Sequence, residues 1–219
     1  MFGTKSSRTF IKIHSDGTIR QRCHEGDPEA VSRDYELPTG EKGTVFEKVY
    51  SYVEGYIAGI EYKEGQFGTQ VLVDIHGTNG DSCTLTIGSE SRFAEPFLEK
   101  LPNIDPKEVV RIQPFSYEKD GKNRCGVTVT QNDERIESAF KTYNSETKQF
   151  SYLLGYPAPE SADKMNKDKW KLYFQQTRIW LRDYLETNVL KNFNHVMETA
   201  ATSEEPAEDD GINLDSIPF

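Results

Sequence analysis

The chain has 219 residues, of which 28% are charged, and a formal net charge of -10. With a mean hydropathy of -0.70 and no apolar run near the roughly 20 residues that cross a bilayer, a membrane-spanning helix is excluded as an organising element, and "MFGTKSSRTFIKIH" offers no apolar leader segment. Three widely spaced cysteines, Cys23, Cys83 and Cys125, exclude a disulfide framework and a C-x-x-C metal site and suit a reducing cytoplasm, where the chain is expected to act.

The charge is unevenly spread. Residues 1–24 hold Lys5, Arg8, Lys12, Arg20 and Arg22 against Asp16 alone, whereas 203–219 carry Glu204, Glu205, Glu208, Asp209, Asp210 and Asp215 and no base. An overall acidic balance argues against nucleic-acid binding only where charge is uniform.

In chain order, "RTFIKIHSDGTIRQR" predicts a β-hairpin: Phe10, Ile11 and Ile13 precede a Ser-Asp-Gly turn, and Thr18 and Ile19 follow it. Residues 24–44 are polar with scattered Gly and Pro and are expected to be mainly loop. From Val45 the pattern is densely β. "VYSYVEGYIAGIEY" contains Gly55 and Gly59, as bent strands do. "TQVLVDIHG" and "SCTLTIGS" alternate around an Asn-Gly turn. "SESRFAEPFLEKLPNI" predicts a short helix stopped by Pro102, and "EVVRIQPFSYEKDGKNRCGVTVTQ" a hairpin about an Asp-Gly turn. Three meandering strands, a helix and a hairpin are the order of a five-stranded OB-fold-like Greek-key barrel. The expected class is therefore mainly β, with an N-terminal β-hairpin extension and a C-terminal helical segment.

Within 164–198, Trp170, Tyr173, Phe174, Thr177, Leu181, Tyr184, Leu185 and Phe193 make the apolar stripe of a long amphipathic helix, which fits packing against the barrel or a second subunit. The expected organisation is a basic hairpin and loop (1–44), the barrel core (45–140), a loop and long helix (141–200), and an acidic tail (201–219) too polar to order itself.

Binding single-stranded nucleic acid without sequence preference needs aromatic platforms and cations along one groove. The first barrel loop offers Tyr62, Lys63 and Phe67. The last hairpin offers Arg111, Phe115, Tyr117, Lys119, Lys122 and Arg124. In an OB fold these two loops flank the binding face. Phe115 and Tyr117 also fit packing under their own turn. Lys12, Arg20 and Arg22 either extend the groove or are ordinary surface charges. Tyr50, Tyr52 and Tyr56 alternate and are expected to share a face of the first barrel strand, Tyr56 toward nucleic acid and Tyr50 toward packing.

Chemistry is weakly signalled. His14, His24, His76 and His195 lack metal-ligand spacing, "TGEKGT" lacks that of a phosphate loop, and Asp74 and Asp81 read as surface or turn aspartates. No enzyme, metal or cofactor is expected.

The stretch "EEPAEDDGINLDSIPF" resembles the acidic tail of bacterial single-stranded-DNA-binding proteins, in which an OB-fold core binds DNA and an Ile-Pro-Phe tip docks on replication, recombination and repair proteins. Asp215, Ile217, Pro218 and Phe219 match that tip. The body departs from the bacterial family: a basic hairpin stands in front, and an aromatic helix replaces the Gly/Pro/Gln-rich linker. It looks more like a bacteriophage-encoded member, for which the family's tetrameric state does not carry over. The resemblance implies a protein that coats single-stranded DNA and recruits partners through its tip. The other class compatible with the net charge is an interaction adaptor or nucleic-acid mimic on a β scaffold.

Overall fold

A computed structural model describes residues 9–36, 40–65, 68–161 and 164–193. Strands β1 (Thr9–Ile13) and β2 (Ile19–Arg22) form the expected hairpin. They are followed by β3 (Val31–Glu36), β4 (Lys42–Tyr50), β5 (Val53–Gly65), β6 (Gly68–His76), β7 (Ser82–Gly88) and a short helix α1 (Ala94–Leu98). Then come β8 (Val110–Lys119), β9 (Lys122–Gln131), β10 (Glu134–Arg135), β11 (Lys141–Asn144), β12 (Gln149–Tyr152) and the helix α2 (Lys167–Asn188). The fold is mainly β with a C-terminal helix, and no described helix is long and apolar enough to cross a membrane.

Ten strands share one sheet in the order β10-β9-β8-β5-β6-β7-β1-β2-β4-β3, while β11 and β12 pair separately. Neighbours are antiparallel except β1, which lies parallel to β7. The expected meander, helix and hairpin are present, but the sheet is open. No pairing among the described residues joins β9 to β7; the outer edge of β7 is taken by β1 instead. The expected loop at 24–44 contains β3 and the start of β4. "VSRDYE" lacks apolar alternation because it is an edge strand, held by its ladder to β4. The helix expected over 164–198 spans Lys167–Asn188, with Asn166 accepting the Lys169 N–H at 2.9 Å as its cap; residues 194–198 lie outside the described residues.

The sheet must curl. Only Ser51 and Tyr52 separate β4 from β5, so Tyr50 and Val53 lie at most about 11 Å apart. In a flat sheet the five strand spacings from β5 to β4 would measure about 24 Å. The flanks therefore approach one another without pairing and leave a cleft of about 940 Å³ floored by Ile11, Ile19 and Ile75 and walled by Tyr50, Tyr52 and Val53. Beyond its three rungs with β5, β8 meets the β1–β2 turn instead. A Cβ placed on Gly17 (φ +81°) would fall 2.5 Å from Phe115 C and closer still to Ser116 N, so that turn lies directly on the β8 backbone.

Ile57, Ile60, Val71, Val73, Ile75, Leu85 and Ile87 fill the curl, joined by Ile11, Ile13 and Ile19 from the hairpin and Val110, Ile112, Val127 and Val129 from β8 and β9. Phe97 and Leu98 of α1 enter the same cluster. So do Leu181 and Leu185 of α2, which with Thr177 form its buried i, i+4 stripe. Lys141 sits between Glu95 at 2.7 Å and Glu99 at 2.5 Å, and the Tyr156 hydroxyl donates to both carboxylates, tying β11 and the loop after β12 to α1.

Glu47 is buried and accepts from Arg33 (3.0 Å) and Arg20 (2.9 Å). Hydrogen bonds from Arg33 and, against the cost of burial, from Arg20 hold its carboxyl at about 2, below the ordinary 4.5. A depressed folded-state pKa means that this stabilisation is complete above about pH 4.5 and is lost as pH falls toward 2. Urea unfolding should show Glu47→Gln less stable than the parent at pH 7, with the gap closing as pH drops through that window. A gap independent of pH would contradict this role.

Candidate nucleic-acid interface

The pairing registers decide which side chains share a face. On β6 and β7 the residues opposite the core positions are His76, Asp74, Leu72 and Gln70, paired with Ser82, Thr84, Thr86 and Gly88. The parallel ladder carries the same face onto Phe10 and Lys12, and the hairpin ladders carry it onto Arg20 and then Val49, with Arg22 opposite Glu47. Through β5 it includes Tyr56 and Lys63, across from His76 and Gln70. Through the Glu54↔Arg111 rung it runs along β8 as Arg111, Gln113, Phe115, Tyr117 and Lys119, and along β9 as Lys122, Arg124, Gly126, Thr128 and Thr130. This is the outer face of the sheet. Of the expected site residues that are described, only Tyr62 is not on it.

Tyr62 is carried inside by a bulge. The β5–β6 register shifts between Ile57 and Gly59, so Ile57, Ile60 and Tyr62 all point inward. Tyr62 packs beneath α2 with the Arg182 guanidinium 4.8 Å from its ring centre, and burial, with Glu186 nearby, pushes its phenol well above the ordinary value. It is therefore not a base platform. Arg20 is on the outer face but engaged, bonded to Asp16 and Thr18 as well as Glu47; its role is to hold the hairpin to β4. Arg111 is exposed yet tied to Glu54 at 2.6 Å and laid over the Tyr52 ring at 4.4 Å. Tyr50, Tyr52 and Tyr56 do not share one strand, because the chain breaks at Ser51 and Tyr52 between β4 and β5. Tyr50 donates to Gln21 across β2 at 2.9 Å. Phe67, Asp215, Ile217, Pro218 and Phe219 lie outside the described residues.

The β8–β9 hairpin is the densest part of the face. Asp120 (φ 54°) and Gly121 (φ 66°) form its two-residue turn, both left-handed as a type I′ turn requires. That turn fixes Lys119 opposite Lys122 and Tyr117 opposite Arg124. Like charges directly opposite are unfavourable, yet Lys119, Lys122 and Arg124 are exposed and form no ion pair among the described residues. Below them the Phe115 ring lies over Gly126, where a Cβ would come within 2.9 Å of the ring, and stacks against Tyr117 at 5.9 Å between centroids. Tyr117 is 53% exposed. Phe115 is thus half-buried against its own hairpin, and Tyr117 presents the exposed ring above it. Because β5 and β8 are antiparallel, the β5–β6 and β8–β9 tips run in opposite directions from the Glu54↔Arg111 rung and bracket the face between them.

Lys12, Arg22 and Lys63 are likewise exposed and form no ion pair among the described residues. Phe10, counted in the sequence among the hairpin's apolar residues, is not part of the core. The run Phe10-Ile11-Lys12-Ile13 alternates, and with Ile11 and Ile13 inward the aromatic must point outward with the lysine. That alternation was the available signal.

Compared with known protein families, with curated proteins and with solved structures, the chain matches none.

Proposed function

We propose that this chain binds single-stranded DNA, largely without sequence preference, along the outer face of its sheet. The strand run β9-β8-β5-β6-β7, with α1 between β7 and β8, is read as an OB fold whose third strand is extended by the β1–β2 hairpin rather than closed onto its fifth. The observation that carries this reading is the β8–β9 hairpin, whose register is set by its two-residue turn. It holds three cations, with no ion pair among the described residues, around an exposed Tyr117 stacked on a half-buried Phe115, an arrangement that costs stability in the free protein and is relieved by a polyanion with flat bases. Stacking supplies about 1–3 kcal/mol per base irrespective of sequence. The phosphates supply a salt-dependent remainder.

The acidic segment 203–219 is assigned to recruiting replication, recombination or repair proteins through Ile217, Pro218 and Phe219, as the resemblance of its sequence implies. Six of its side chains are acidic and none is basic, so the net charge of -10 is unevenly spread along the sequence and does not by itself argue against a polyanionic ligand. The same net charge is what favours an adaptor or nucleic-acid mimic, which would bind a basic protein and ignore DNA. Titrating the protein into labelled oligo-dT of about 20 nucleotides and into a duplex of equal length, at about 50 mM salt, tests the choice. Tight binding to oligo-dT that weakens steeply with salt, with little binding to duplex, is expected. No binding to oligo-dT refutes the proposal.

A further inference from the structure

Phe10 is an aromatic side chain on the open face of an interior strand, 56% exposed, with no ring partner among the described residues. Its neighbour on β7 is Thr84, which is fully buried and donates to Asp74 at 2.9 Å, so the ground beside the ring is small and flush. Lys12 lies two residues along the same face. One rung beyond Ile11↔Gln21, Arg22 comes opposite Phe10. Glu47, the acid across the ladder from Arg22, is already taken by Arg20 and Arg33. An apolar ring left in water between two unneutralised cations is the composition of a stacking site for a base whose phosphates are held on either side.

We infer that Phe10, with Lys12 and Arg22, is a second base-stacking platform for single-stranded nucleic acid, carried on the N-terminal hairpin outside the five OB-like strands. This rests on the reading of the outer face as the nucleic-acid face, and it deepens that reading by extending the path. Three strand spacings, about 14 Å, separate Phe10 from Tyr56, so the strand gains this platform only after crossing β5, β6 and β7. The hairpin is then an addition to the binding surface and not only a filler of the open edge of β7.

The test uses full-length protein with Phe10→Ala, Phe10→Tyr and, as a reference on the other platform, Tyr117→Ala. Each is titrated against oligo-dT of about 6 and about 20 nucleotides. Phe10→Ala should weaken binding to the longer strand by about tenfold while changing the shorter, which the β8–β9 hairpin can satisfy alone, by less than about twofold. Phe10→Tyr should restore most of the loss, and a 5-iodouracil-substituted longer strand should photocrosslink to the peptide that contains Phe10. If Phe10→Ala matches the parent on the longer strand while Tyr117→Ala is weakened, the second platform does not exist and the main reading stands. If the parent itself fails to bind the longer strand, both fall. A melting temperature of Phe10→Ala equal to the parent's is expected from the exposure of the ring. Should it drop sharply, the crosslink decides, and its absence overturns the proposal.

Discussion

Replacing Lys119, Lys122 and Arg124 together by glutamate should reduce affinity for oligo-dT by at least about a hundredfold at about 50 mM salt, with the fold intact. These side chains surround a two-residue turn whose geometry is set by Asp120 and Gly121, and none of them is bonded to another described residue. Removing them therefore breaks no internal contact, and the like-charge opposition at Lys119↔Lys122 is merely exchanged for another. What changes is the number of phosphates neutralised. For single strands the logarithm of affinity falls with that of salt by about 0.7 per neutralised phosphate, so the slope should become shallower by about 2. Loss of affinity with an unchanged slope would mean that the hairpin acts through packing, not charge. No loss would remove the hairpin from the interface.

Gly17→Ala should be the most damaging small substitution in the hairpin. Gly17 has φ +81°, a region that costs a side-chain-bearing residue about 1 kcal/mol or more, and the new Cβ would collide with the backbone of Phe115 and Ser116. Backbone cannot rotate aside as a side chain can, so either the turn or β8 must move. Gly26→Ala is the internal control. Gly26 has φ +95° and nothing within 4 Å of its Cβ position, so it carries the conformational penalty alone. Gly17→Ala should cost about 3 kcal/mol or more against about 1 for Gly26→Ala, a difference of several degrees in melting temperature for a chain of this size. Equal costs would show that the hairpin turn does not seat on β8.

These two sites also mark what the sequence could and could not reveal. The β8–β9 hairpin was legible because its signals are local: an Asp-Gly turn between alternating strands fixes which residues face each other. The same holds for β1 and β2, for the Asn-Gly turn between β6 and β7, and for the Thr177-Leu181-Leu185 part of the α2 stripe, whereas Phe174, expected in that stripe, is exposed and Trp170 and Tyr173 are only half-buried. Three things were not local. One bulged residue in β5 reverses the face of everything after it, which is why Tyr62 lies under α2 and Lys63 is turned outside. Glu47, far along the chain from both, captures Arg20 and Arg33. The parallel pairing of β1 with β7 depends on an edge left open by the curl, and no spacing in the sequence encodes it. Phe10 is different: the alternation of Phe10-Ile11-Lys12-Ile13 is local, and once Ile11 and Ile13 face the core it puts the ring outside.

The outer face therefore joins residues from β1, β2, β5, β8 and β9 whose common orientation comes from registers alone. Oligo-dT binding measured against duplex over a range of salt asks most directly whether that face serves single-stranded DNA. Tight binding to oligo-dT at low salt, a steep loss as salt rises and weak binding to duplex are the predicted result. Equal affinity for the two, or none for oligo-dT, would contradict it.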